Sequence, residues 1–382
     1  MNNISLFSAP FRPLFLLASL AAVFLPMLYV CFLVSDYTYR GYFFDVNEWH
    51  IFEMLFGFVP ILIAGFILTA GSHWSGNPML KGWPILYLSL IWIAERIILS
   101  FNLLDPFTTL VFLQVYGISF IYLLHITIRG SKKNHLPFIL FFIFLFGAKF
   151  IFSYGNFISS EDLIDAGKTM SIGLYRLIII WIAGRVIPFF IKKRFPEIKI
   201  SIPLFIHFSA YISLLIIIPF EVLQLPEYII SATAIISFLL HSYKLYLFHP
   251  IKTIKEPMIW VLNLAYLFIC IHLLFLGLSP YVIDLTNGHG TLHLFTTGGL
   301  GLMAIGVMTR VGLGHTGRPI KANKTITAMF LLTALGAMLR VFLPILIPDF
   351  YYDTLHFSMG IWTIGFVIYL LKFTPILLRA RV

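Results

Sequence analysis

Apolar runs and short polar breaks alternate along the entire chain. A helix needs roughly 17 to 25 apolar residues to cross a bilayer. Twelve runs are of that order, near 13–34, 50–70, 83–100, 107–128, 136–154, 170–191, 203–219, 226–248, 257–279, 290–311, 325–347 and 351–372. The breaks are too short to hold a soluble insert, and no repeat is evident. The pattern predicts an all-α polytopic membrane protein in which residues 1–382 form a single integral domain of twelve transmembrane helices. Composition agrees: 60% of the 382 residues are hydrophobic and 11% charged, more apolar surface than a water-soluble domain keeps covered. The first run lacks a basic leader and a small-residue cleavage site, so it is expected to stay as an anchor.

Charge gives the spans a direction. Arg12, Lys81, Arg129, Lys132, Lys133, Lys192, Lys193, Arg194, Lys199, Lys244, Lys252, Lys255, Arg310, Arg318, Lys321, Lys324, Lys372, Arg379 and Arg381 all fall on one side of the alternation. The opposite side carries Arg40 and Lys168 and most of the acids, among them Asp36, Asp45, Glu48, Glu161, Asp162, Asp165 and Asp284. The positive-inside rule then places the N and C termini in the cytoplasm. The net charge of +10 is therefore a topology signal, and nucleic acid is not an expected partner.

Direction assigns depth to each polar residue. Glu53, Glu95, Arg96, Lys149, Arg176 and Arg340 fall in the outer half of their spans, and Arg185 in the inner half. A lone charge at mid-bilayer costs roughly 2.5 to 3.5 kcal/mol on insertion scales, so these groups must pair. Two readings stand: a structural salt-bridge set, or a basic surplus that binds an anion such as a haem propionate. His50, His272, His289, His293 and His356 also belong to the outer side, while His73, His135, His249 and His315 lie at the inner interface, with His125, His207 and His241 nearer that side. Neutral imidazole ligates iron, copper and zinc. His289 and His293 share one helix face, as do His50 and Glu53. Behind His293, Gly298, Gly299 and Gly301 permit close approach of a helix or of a flat macrocycle. His315 lies about 30 Å from His293 across the bilayer, too far to share a metal. Cys31 and Cys270 form no framework and read as small core residues. GLGHTGRP (312–319) lacks the strand and the helix register of a phosphate loop.

Five blocks resemble the NnrS family: FRPLFLL (11–17), WHIFEMLFGF (49–58), GFILTAGSHWSG (65–76), GRVIPFF (184–190) and VMTRVGLGHTGRPI (307–320). The resemblance implies a twelve-span bacterial inner-membrane protein containing haem and copper, linked to nitric oxide tolerance and denitrification. Phe52 and Asn263 stand where that family commonly has histidine, and His73 where it commonly has asparagine, so copper is expected less firmly than haem. The plan also resembles the core subunit of haem–copper oxidases, in which spans two and ten supply haem ligands near the outer side. The copper-ligating histidines of spans six and seven are not matched here.

These readings converge on a b-type haem in the outer leaflet. His293 and His50 are the expected axial ligands, with His289, His356 and His272 as alternates. Arg96, Arg176 and Arg340 are expected to neutralise propionates, and nitric oxide is the candidate iron ligand. An oxidoreductase with an unidentified electron donor and a sensor or scavenger both remain open. The rival class is a transporter with helices broken at Pro188 and Pro219 and an intramembrane Glu/Arg relay. A third is a metal-handling protein using Met54, Met303, Met308 and Met359.

Overall fold

The computed structural model describes residues 5–34, 45–101, 105–129, 136–282 and 289–382, and no strand occurs among them. Asp36, Arg40, Lys132, Lys133, His135 and Asp284 lie outside the described residues, as does the side chain of His289. Twelve described helices are long and apolar enough to cross a membrane, and the chain is an all-α, multi-pass membrane protein. They are α1 (Phe11–Val34), α2 (Val46–Ser75), α3 (Trp83–Phe101), α4 (Pro106–Ile128), α5 (Leu136–Ile158), α6 (Glu161–Arg194), α7 (Leu204–Val222), α8 (Glu227–Leu247), α9 (Pro257–Leu278), α10 (Gly290–His315), α11 (Lys324–Leu346) and α12 (Tyr351–Leu378).

The helix ends follow local chemistry. Asp45 accepts from the Glu48 amide at 2.8 Å and caps α2, Asp105 accepts from the Phe107 and Thr108 amides and caps α4, and Asn323 caps α11 through the Ile326 amide. Each satisfies a backbone donor that the first helical turn leaves free. Gly76, at φ 74°, closes α2 in the left-handed conformation that glycine adopts without strain. α6 begins nine residues before its apolar run. Glu161 and Asp162 occupy its first turn, where the helix dipole favours negative charge, and Lys168 pairs with Asp165 one turn along. Pro188 and Pro219 lie inside α6 and α7, which continue through them. The expected breaks at these prolines do not occur; within apolar surroundings a helix retains its remaining internal hydrogen bonds because no water replaces them.

The chain divides into two compact units. Unit 1 comprises Met1–Ser171, Val311–Pro319 and Leu370–Val382; unit 2 comprises Ile172–Arg310 and Ile320–Tyr369. Two helices are far more enclosed than the rest: 89% of the apolar window of α2 and 78% of that of α10 is buried, against 61% for the next, α9. The same two change winding. α2 is π-helical over Glu53–Phe58, and α10 over Leu294–Leu300 after an α-helical opening at His289–His293. A π turn inserts an extra residue, widens the helix and loosens the regular backbone ladder. A buried carbonyl freed in this way needs a donor. In unit 1 the indole N–H of Trp92 donates to the Gly57 carbonyl at 3.0 Å. In unit 2 the indole N–H of Trp362 donates to the Thr297 carbonyl at 3.2 Å.

Side chains of neighbouring helices fill the glycine face of α10. Gly298 meets the Phe268 ring, a Cβ on Gly299 would lie 2.5 Å from Ile269 Cγ1, and one on Gly301 would lie 3.0 Å from the Trp362 ring. The face thus packs against Phe268 and Ile269 of α9 and Trp362 of α12.

Candidate functional site

Four charged residues of unit 1, Glu53, Glu95, Arg96 and Lys149, form one closed ionic set. Arg96 Nε lies 2.9 Å from Glu53 Oε2 and its Nη2 lies 2.8 Å from Glu95 Oε2, while Lys149 pairs with the other oxygen of Glu95. Glu53, Glu95 and Lys149 are fully enclosed. The formal charges of these four sum to zero, so each buried charge has its counter-charge. The Arg96 guanidinium rests over Trp92 at 4.9 Å and the Lys149 ammonium over Phe52 at 5.4 Å, contacts in which a ring face attracts a cation. Phe52, where a histidine ligand was expected by resemblance, is thus an apolar and cation-facing part of this set. Gly57 makes room for it, since a Cβ there would lie 2.5 Å from Glu53 Oε2. The buried Tyr116 hydroxyl stands in the field of Glu95 and Arg96. His50, one turn before Glu53, stacks on Tyr29 with ring centroids 4.1 Å apart.

Unit 2 is built differently. His272 on α9 is 3% exposed, and its Nδ1 lies 2.7 Å from the Thr291 carbonyl on α10. A carbonyl only accepts, so Nδ1 carries the proton and Nε2 presents a lone pair. That Nε2 is buried and has no hydrogen-bond partner. Phe295 lies beside the ring, centroids 5.6 Å apart. Arg176 on α6 is buried within electrostatic reach of His272. One of its nitrogens, Nη2, pairs with Glu221 on α7, whereas Nε and Nη1 are buried without partners. Glu221, near the C-terminal end of α7, was absent from the expected charge set; its pairing with Arg176 lowers the expected basic surplus.

His356 on α12 is half-buried, and its Nε2 is buried without a partner. Its level follows from the packing. Val341 faces Gly290, and Trp362 meets both Gly336 and Gly301, so α10 and α12 run in the same direction with α11 opposed to both. Six residues back from the Trp362–Thr297 hydrogen bond are His356 on α12 and Thr291 on α10, about 9 Å along each helix. His356 therefore stands level with the carbonyl that anchors His272. His293 opens the π turn of α10, and its carbonyl accepts from the Thr297 hydroxyl at 2.6 Å. Arg340 adjoins Val341, at the level of Gly290.

Of the expected axial pair, His50 belongs to unit 1 and His293 to unit 2. The structure brings His272 to the backbone of the segment that carries His293, a link absent from the sequence spacing. Among the described residues, no three His, Cys, Asp or Glu side chains converge as a metal-binding group. Asn263, the other position where histidine was expected by resemblance, is buried and donates to Thr253 at 3.1 Å. At the far end of unit 1, His73 and His315 face each other with centroids 5.3 Å apart, and Phe11 packs on His315. The chain end closes over this loop: the Val382 amide donates to the Thr316 carbonyl at 3.0 Å, and Arg12 donates to the Leu377 and Arg379 carbonyls, each at 2.6 Å.

Comparison with protein families matches residues 5–381 to the family described as NnrS protein. No curated protein matches the chain.

Proposed function

The chain belongs to the NnrS family, and from that premise we propose that it is a haem protein of the nitric oxide response in the bacterial inner membrane, with the haem seated in unit 2. The observation that carries the reading is the buried, unpartnered Nε2 of His272, held in the ligating tautomer by the Thr291 carbonyl. A protein of ordinary stability does not leave such a nitrogen idle, because an unsatisfied buried polar atom costs about 1–3 kcal/mol. Metal-ligating histidines are oriented in this way by a hydrogen bond at the other ring nitrogen. Three expected ligands remain in the same unit, with His356 and His293 as the residues for the opposite axial side and His289 as the neighbour of His293.

The groups that fit the remainder of a haem are also in unit 2. Nε and Nη1 of Arg176 supply two guanidinium donors for a propionate, and Glu221 fixes the plane of that guanidinium through Nη2. Phe295 keeps water from the His272 ring. Arg340, next to the Val341 that faces Gly290, is the second basic residue at this level. A bound haem would supply an iron that takes nitric oxide where one axial position is vacant or labile.

The test is the visible spectrum of the purified full-length protein, oxidised, reduced and with nitric oxide added. A Soret band that shifts on nitric oxide addition is expected. No Soret band after expression with ample haem overturns the haem reading, and bands untouched by nitric oxide overturn direct binding at the iron.

A further inference from the structure

At the opposite, basic end of unit 2 lies a cluster that the haem reading does not use. Lys244, near the end of α8, is 0% exposed, and its Nζ has no hydrogen-bond partner. Lysines at helix ends ordinarily extend their ammonium to water; this one turns inward, 4.2 Å from the centre of the Tyr211 ring on α7. Gly184 on α6 lets the Tyr211 hydroxyl approach the helix, since a Cβ there would lie 2.6 Å from that hydroxyl and 4.0 Å from Lys244 Nζ. The next residue, Arg185, acts electrostatically on both Tyr211 and His207, and Lys244 also acts on His207. The His207 and Tyr211 rings meet edge to face at 5.0 Å. Among the described residues, no carboxylate pairs with Lys244 or Arg185.

We propose that Lys244, Arg185, Tyr211 and His207 form a binding site for the phosphate of an anionic phospholipid headgroup. The buried Lys244 ammonium, the exposed Arg185 guanidinium (stacked over Trp181 at 4.2 Å) and the Tyr211 phenol gather with no carboxylate among them, and a phosphate oxygen supplies the missing counter-charge. The occupant is a lipid because residues adjoining these four in the sequence or one helical turn away, Phe189, Phe208, Ile212 and Tyr243, are apolar or amphipathic and exposed, as acyl chains require. Lys192 and Lys193 follow on α6 and add to the attraction of an anionic leaflet. Basic pockets between helices at a cytoplasmic surface recognise headgroups in this way.

The test uses the full-length protein in neutral detergent, with phosphatidylglycerol and phosphatidylcholine titrated separately and adducts counted by native mass spectrometry. Phosphatidylglycerol is expected to bind about tenfold more tightly than phosphatidylcholine and to raise the melting temperature. Lys244→Met and Arg185→Gln are each expected to abolish that preference, and Lys324→Gln, which removes a charge elsewhere, to keep it. Without lipid, Lys244→Met is expected to melt no lower than the wild type, because it removes an unpaired buried charge while keeping side-chain length. The proposal fails if Lys244→Met and Arg185→Gln retain the preference, or if lipid-free Lys244→Met melts lower. It also fails if inorganic phosphate gives the full thermal shift and phosphatidylglycerol adds nothing.

Discussion

Units 1 and 2 each contain an enclosed helix that opens on histidine, winds into a π turn and surrenders a carbonyl to a tryptophan indole. In unit 1 His50 precedes the turn at Glu53–Phe58 and Trp92 takes the Gly57 carbonyl; in unit 2 His293 precedes the turn at Leu294–Leu300 and Trp362 takes the Thr297 carbonyl. The polar groups beside the two turns differ. Around α2, two carboxylates and two cations close on each other. Around α10, His272 Nε2, His356 Nε2 and two nitrogens of Arg176 are buried with nothing to bond. The same backbone device therefore serves two ends. A balanced buried set fixes how helices pack, whereas the proposed role of the unbalanced one is to meet a ligand that completes it.

The comparison breaks most visibly at Glu95. Glu95→Gln leaves Lys149 buried without its counter-charge and is expected to destabilise unit 1 by about 3–5 kcal/mol, read as a lower melting temperature and yield. Haem per folded molecule should not change. A matching loss of haem would mean that the two polar sets are not separable. Next is Gly57→Ala, which forces a Cβ against the Glu53 carboxylate and is expected to cost about 1–3 kcal/mol. Chemical denaturation in detergent measures it, and a neutral result would show that Glu53 has another position available.

The two tryptophans sharpen the parallel. Trp92→Phe and Trp362→Phe each leave a π-turn carbonyl without its donor and are expected to cost about 1–2 kcal/mol beyond the lost ring area. Equal thermal shifts would support the shared device. A smaller change is expected from Arg176→Gln: the haem stays bound but dissociates more readily to apomyoglobin, by about tenfold for one lost charged contact. An unchanged transfer rate would remove Arg176 from the site.

Much of this fold was legible in the amino-acid sequence because hydropathy alone separates the spans. All twelve appear in order, and charge marked the places where buried ions needed partners. The errors have physical causes. α6 begins at Glu161 because capping and dipole effects extend a helix beyond its apolar run. Pro188 and Pro219 were read as breaks although a membrane helix continues through them. The π turns carry no residue signature beyond nearby glycines. His293 stood out because it shares a face with His289, whereas His272 was only an alternate; what distinguishes it, the Thr291 carbonyl at 2.7 Å, joins positions on different helices. Glu221 and Arg176 meet across two helices for the same reason.

The central claim is that the unsatisfied groups of unit 2 hold the cofactor, with His272 as the first axial ligand. It is tested by the haem content of His272→Gly and His50→Ala, determined as pyridine haemochrome per mole of folded protein. The account predicts that His272→Gly loses nearly all its haem, regains a Soret band when imidazole is supplied, and remains monodisperse in detergent, while His50→Ala keeps its haem. Full haem occupancy in His272→Gly, with the same Soret maximum as the wild type, would contradict it.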